Sequence, residues 1–184
     1  MVKYRIWIIG LISLIILFTL SQFKQSSLIS RSDKIFDIDK SDIFGIQIRQ
    51  GDDSLSLSFN GDIWSILNHD SLQVKDNTLN SFFDKLLSLN RTSLVSKNSS
   101  KWDKFMVGDS TGTHLSFFDY NGQLLSNIIV GRSNAEWASS NVRIGDKVEV
   151  YQTNENVSWQ LNTSATFWGE VPSPPEADST NIDL

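Results

Sequence analysis

One uninterrupted apolar stretch near the start limits what this chain can become. Lys3 and Arg5 precede residues 6–20, which carry no charge, and the next charged side chain is Lys24. Coiled as an α-helix, residues 4–23 would rise about 30 Å, the thickness of a bilayer hydrocarbon core. Ile6, Trp7, Leu11, Leu14, Leu17, Phe18 and Leu20 make that helix apolar all round, because Ser13 and Thr19 are too few for a polar stripe. Tyr4 and Trp7 at one end, and Phe23 with Lys24 at the other, suit the two membrane interfaces. The expectation is a single-pass signal anchor over residues 6–23, with residues 1–5 cytoplasmic and the rest extracytoplasmic, periplasmic in a double-membrane bacterium. The competing reading is a cleaved signal peptide, which needs a small-x-small site; Thr19-Leu20-Ser21 is the weak match.

Charge then narrows the partners. Without Lys3 and Arg5, 14 basic residues stand against 21 acidic ones, so the expected exported part is acidic. An acidic head is repelled by anionic lipid and lacks the basic face that displaces counterions from nucleic acid. The chain has no cysteine, which excludes disulfides, thiolate zinc sites, iron–sulfur clusters and thiol nucleophiles. Neither a Gly-x-x-x-x-Gly-Lys phosphate loop nor a Gly-x-Ser-x-Gly elbow occurs, so the chain is not itself a transport ATPase.

Beyond the anchor the pattern divides into a Ser-rich tether over residues 24–33, one domain over 34–170, and a tail over 171–184. The tail holds all three prolines, Pro172, Pro174 and Pro175, with Glu176, Asp178 and Asp183, and is expected to be disordered. Within the domain, Ile43, Ile46 and Ile48 mark a first strand. Leu55, Leu57 and Phe59 alternate with Ser54, Ser56 and Ser58 on a second, half-buried one. Asn60-Gly61-Asp62 turns the chain into a third strand around Trp64, completing a meander.

The periodicity then changes. Asp76 is the expected N-cap of an amphipathic helix whose buried face runs through Leu79, Phe82, Phe83, Leu86, Leu87 and Asn90. A strand over residues 92–97 follows, then a turn of helix capped by Ser99 or Ser100 and carrying Trp102 and Phe105. Two more hairpins turn at Asn121-Gly122 and Gly145-Asp146; residues 131–138 between them form a loop, and residues 157–168 fit either helix or strand. The fold class is therefore α+β: an antiparallel hairpin and meander sheet with one main amphipathic helix packed on it, preceded by one transmembrane helix.

The run Ile35-Phe-Asp-Ile-Asp-Lys-Ser-Asp-Ile-Phe-Gly-Ile-Gln-Ile48 resembles the opening of an exported family known as domain of unknown function 4340. The likeness continues through the strands ending at Trp64, the helix from Asp76, the turn from Trp102 to Gly108, Ile129-Val130-Gly131, and Val142 to Tyr151. It spans roughly residues 34–170. The chain departs from the family pattern at Met106-Val107-Gly108-Asp109, where a Gly-Leu-Asp-like turn is common, and at Trp168-Gly169-Glu170, which lacks a basic residue. The resemblance implies no established activity; several members look like auxiliary proteins of an ABC-type transport system linked to gliding motility.

The residues themselves offer little chemistry. His69 beside Asp70 is read as an exposed loop histidine, because a base needs a nucleophile placed by the fold. His114 lies opposite Leu115 and Phe117 on its strand and is read as a hydrogen-bonded second-face residue. Asp37, Asp39 and Asp42, or Asp52 and Asp53, offer hard oxygens for calcium but match no EF-hand spacing. No catalytic residue, metal ligand or cofactor is assigned. Trp137 differs from the other tryptophans, since it lies in a Ser/Asn loop with Arg132 and Glu136. Packing of that loop onto the sheet is the favoured reading of Trp137; the competing one makes Trp137, Arg132 and Arg143 the candidate partner contacts. The favoured function is a non-catalytic accessory of an ABC-type transporter or envelope complex; the alternatives are an extracytoplasmic hydrolase or carbohydrate-binding domain, and a passive spacer.

Overall fold

The computed structural model describes residue 14 and residues 33–133 and 136–172. The expected anchor residues Ile6, Trp7, Leu11, Leu17, Phe18 and Leu20, the tether to residue 32, and the tail from residue 173 lie outside them. Leu14 is described as helical and 68% exposed. Among the described residues no helix is long and apolar enough to cross a membrane.

The fold is mostly antiparallel β-sheet with one short helix. The strands are β1 (Asp33–Lys34), β2 (Gly45–Gln50), β3 (Asp53–Phe59), β4 (Trp64–Ile66), β5 (Gln73–Val74) and β6 (Asn90–Ser96). They continue as β7 (Thr113–Phe118), β8 (Leu124–Arg132), β9 (Ser140–Ile144), β10 (Val150–Thr153) and β11 (Gly169–Glu170). Eight of them, with the two-residue β1 at one edge, form a single sheet in the order β1-β6-β10-β9-β8-β7-β2-β3-β4, while β5 and β11 pair apart. Two meanders, β2-β3-β4 and β7-β8-β9-β10, are thus welded through the β2–β7 pair, where Ile46 opposes Phe117 and Ile48 opposes Leu115.

The turns follow from their side chains. The Asn60 Oδ1 accepts the N–H groups of Asp62 and Ile63, both at 2.9 Å, closing the β3–β4 turn. The Asp119 carboxylate does the same for Asn121 and Gln123 between β7 and β8, at 2.8 and 2.7 Å. Period-two alternation sends Ile46, Ile48, Leu55, Leu57, Leu115, Phe117, Ile128, Val130 and Val142 to one face. Helix α1 (Asp76–Leu87) covers that face with Leu79, Phe82, Phe83 and Leu86. Phe82 sits at the centre, its ring 5.1 Å from Trp168 and 6.1 Å from Phe117. Trp168 ends the single helical turn α2 (Ala165–Trp168), fully buried, with its indole N–H donated to the Asn162 carbonyl at 2.7 Å.

The opposite face is also covered. Two 3-10 turns, Ser99–Lys101 and Asp103–Phe105, lay Trp102, Phe105 and Val107 over Ile129 and Val150. Both faces are therefore dry around Ile128, Ile129 and Val130, the continuous apolar run of β8.

Several local expectations need correction. The N-cap of α1 is Lys75, which makes no side-chain capping bond; Asp76 is the first helical residue, where its charge favours the positive end of the helix dipole. The helix stops at Leu87, so Asn90 opens β6 instead of extending the helical face. Asn98 caps the first 3-10 turn in place of either serine, its Oδ1 accepting from the Ser100 N–H at 3.0 Å. Val148 lies outside β10 and is 43% exposed. Residues 157–164 belong to neither helix nor strand, and α2 follows them.

Candidate functional site

The site arises where β8, β9 and β10 run out at one end of the sheet. Arg132 closes β8 opposite Ser140, which opens β9, and β10 ends at Thr153. The strand ends leave polar backbone that must be satisfied internally, since Ser139, Ser140, Asn141 and Thr153 are all buried. The Thr153 hydroxyl accepts the Ser140 N–H at 2.8 Å and reaches the carbonyls of Ser140 at 3.0 Å and Glu155 at 2.6 Å. The Ser140 hydroxyl accepts the Val157 N–H at 3.1 Å and donates to the Asn156 Oδ1 at 3.2 Å.

Asn156 carries the order outward. Its Oδ1 also takes the Ser158 N–H at 3.0 Å, and its Nδ2 donates to the Trp137 carbonyl at 2.9 Å. Gln152 adds a second tie, donating to the Glu136 carboxylate at 2.9 Å and the Ser139 hydroxyl at 2.7 Å. The backbone bearing Trp137 is thus held while its indole is left in water, 91% exposed. Trp159 stands nearby, 76% exposed, and the two indoles line one cavity of about 340 Å³ with Arg132, Ser133, Asn156 and Ser158. Covering an indole of about 200 Å² would release on the order of 5 kcal/mol before association costs.

A second constellation sits under the 3-10 turns. The register aligns Arg49, His114, Ile129, Arg143 and Val150 across five strands on one face. Arg143 is 3% exposed, with its guanidinium 3.9 Å from the centroid of the Trp102 ring. Its Nε donates to the Val107 carbonyl at 3.0 Å, one Nη to the Gly145 carbonyl at 3.2 Å, and the other to the Asp109 carboxylate. The His114 Nε2 lies 2.8 Å from the Asp109 carbonyl oxygen. A carbonyl only accepts, so Nε2 carries the hydrogen. Burial pushes the His114 pKa below its ordinary value, and the positive charges of Arg49 and Arg143 push the same way against the opposing pull of Asp109. A neighbouring cavity of about 550 Å³ is bordered by Arg49, Asp52, Trp102, Asp103 and Asp109. There Asp109 is held by Arg143, and Asp103 accepts from the Thr111 hydroxyl at 3.1 Å.

Of the three candidate contact residues, Arg132 and Trp137 share the first cavity, whereas Arg143 lies buried in the second constellation and does not meet them. Trp159 lines that cavity with Arg132 and Trp137. His69 and Asp70 are both exposed on the turn before β5, and neither lines either cavity. Asp37, Asp39 and Asp42 are exposed around a shallow hollow with Lys34. Among the described residues no group of three or more His, Asp or Glu is placed to hold a metal ion.

A family model described as "Domain of unknown function (DUF4340)" matches residues 64–170, from β4 through β11. The β2–β3 pair and residues 35–44, which carried part of the resemblance, fall outside the matched span. No curated protein and no solved structure matches the chain. Because the matched span covers more than half of the 184 residues, the chain belongs to the DUF4340 family, a domain of unknown function.

Proposed function

We propose that the chain is a single-pass, membrane-anchored extracytoplasmic domain that acts by binding, as a non-catalytic accessory of an ABC-type transport or cell-envelope complex. The anchor rests on the apolar run from Ile6 to Leu20, and the orientation on Lys3 and Arg5 ahead of it. The observation that carries the binding role is the pair Trp137 and Trp159, 91% and 76% exposed around one cavity beside Arg132. Tryptophan and arginine dominate binding hot spots, because both bring large contact area to few side chains. The hydrogen-bonded base supports the same reading, since a preordered surface loses little entropy when covered. At the second cavity, commitment of Asp109 to Arg143 and of Asp103 to Thr111 argues for structural rather than catalytic duty.

The test is photo-crosslinking in intact membranes with a reactive group beside Trp137, followed by identification of what is captured. Transporter or envelope components are expected, and Trp137→Ala is expected to reduce their yield without lowering the unfolding midpoint. Capture of none, or a yield unchanged by Trp137→Ala, overturns the reading.

A further inference from the structure

We infer that the Trp137–Trp159 cleft takes a saccharide chain carrying an acidic group; this rests on the reading that the domain binds through that cleft. The six lining residues are two indoles, a guanidinium, two serines and an asparagine, with no aliphatic side chain among the described residues. A pocket for a protein anchor surrounds an inserted Leu, Phe or Tyr with apolar walls. Ser133, Asn156 and Ser158 share the lining of this cavity with the two rings, and they suit a ligand rich in hydroxyls. A pyranose fits that division of labour: its C–H face lies flat on an indole while its ring hydroxyls point sideways into polar groups. About 340 Å³ falls within the range of small-ligand clefts.

The polar capacity left over has a direction. Asn156 spends its oxygen on Ser140 and Ser158 and one amide hydrogen on Trp137, leaving one N–H. The Ser133 oxygen accepts the Glu136 N–H at 3.2 Å, leaving its own O–H. Arg132 is exposed, and its guanidinium has no partner among the described residues. The Ser158 hydroxyl lies 3.5 Å from that of Ser140 and keeps a lone pair free to accept. What remains is therefore one amide and one hydroxyl donor, one hydroxyl acceptor and one positive charge. That set selects an oxygen-rich ligand with a carboxylate, such as a uronic-acid chain, over a neutral one.

The experiment uses the full chain in detergent micelles and reads tryptophan fluorescence and calorimetry against two probes, an oligogalacturonate and a neutral malto-oligosaccharide. The acidic probe is expected to bind with a Kd of about 0.1–1 mM and the neutral one about tenfold more weakly. Trp137→Ala and Trp159→Ala should each weaken the acidic probe about tenfold or more. Arg132→Gln should bring the acidic probe down to the level of the neutral one. Absence of binding by both probes, equal binding of the acidic and the neutral probe, or binding indifferent to both tryptophan substitutions overturns the inference. Membrane crosslinking separates the two failures. If saccharides do not bind but Trp137→Ala still lowers protein capture, the saccharide inference alone falls; if neither effect is seen, the binding role falls too.

Discussion

Arg143 projects from β9 with its guanidinium 3.9 Å from the Trp102 ring centroid, sealed so completely that 3% of the residue is exposed. The two residues lock the 3-10 segment to the sheet: Trp102 donates its indole N–H to the Val148 carbonyl at 3.1 Å, while Arg143 satisfies the Val107 and Gly145 carbonyls. A buried cation is stable only when its donors are used, and here the planar fork serves three acceptors and a π face at once. Arg143→Lys keeps the charge but cannot reproduce the fork. We expect it to cost about 1–3 kcal/mol, and Arg143→Ala about 2–4 kcal/mol, in urea unfolding. Asp109, whose side chain is 77% exposed, is the replaceable partner; Asp109→Asn should change stability by less than about 1 kcal/mol. A large Asp109→Asn effect would show that the ion pair, rather than the carbonyl bonds, holds the segment.

Gly131 marks where the same segment presses closest to the sheet. A Cβ there would lie 2.3 Å from the Phe105 carbonyl oxygen and 2.5 Å from that of Met106. Both obstacles are backbone atoms in a tight turn, and Met106 already holds a left-handed φ of 56°. Neither can move without breaking the packing of Phe105 and Val107. Gly131→Ala is expected to lower stability by on the order of 3 kcal/mol, read as a drop in the urea midpoint. A near-neutral result would mean that the turn yields freely.

These two cases mark how far the sequence was legible. Leu55, Leu57 and Phe59 announce their strand because one face is wet and the other dry, and Asn60-Gly61 and Asn121-Gly122 announce their turns. All of that is local. Arg143 alternates with Val142 and Ile144, so period two reads it as solvent-facing; the segment that buries it comes from residues 99–109, more than thirty positions away. The same limit hid the partnership of Trp137 with Trp159. Their lining of one cavity depends on the β9–β10 register and on Asn156, whose three bonds to Ser140, Ser158 and Trp137 leave no periodic trace. By sequence, packing of the Trp137 loop onto the sheet outweighs exposure, yet the residue stands 91% exposed. The β2–β7 pairing was not legible, since it joins strands separated by a whole meander and a helix.

His114 gives the fold a pH dependence of definite sign. Burial, with help from Arg49 and Arg143, holds its folded pKa below the ordinary value, while the Asp109 carbonyl and carboxylate oppose without prevailing. The unfolded chain therefore binds the proton more readily than the folded one. This contribution is fully present above about pH 6.5, the unfolded value, and is lost as pH falls from there through the folded pKa. Urea midpoints of the wild type should decline over that window. His114→Gln should decline less, the difference isolating this residue from the carboxylates that titrate lower. Equal slopes for the two proteins would remove His114 as the source.

Asn156 separates the base of the cleft from its contact surface. Its side chain reaches the Ser140 hydroxyl, the Ser158 N–H and the Trp137 carbonyl, so Asn156→Ala strands three polar groups in a half-buried place. The expected cost is about 1–3 kcal/mol of stability, with faster amide exchange at Ser158. Trp137→Ala removes an indole that is 91% exposed and should leave stability within about 0.5 kcal/mol. Both substitutions should nevertheless reduce capture by crosslinking, the first because Trp137 is no longer aimed and the second because it is gone. The double variant should then lose little more capture than either single one, since the two act through the same ring. Additive losses would mean that Asn156 touches the partner itself and that Trp137 does not depend on it for position.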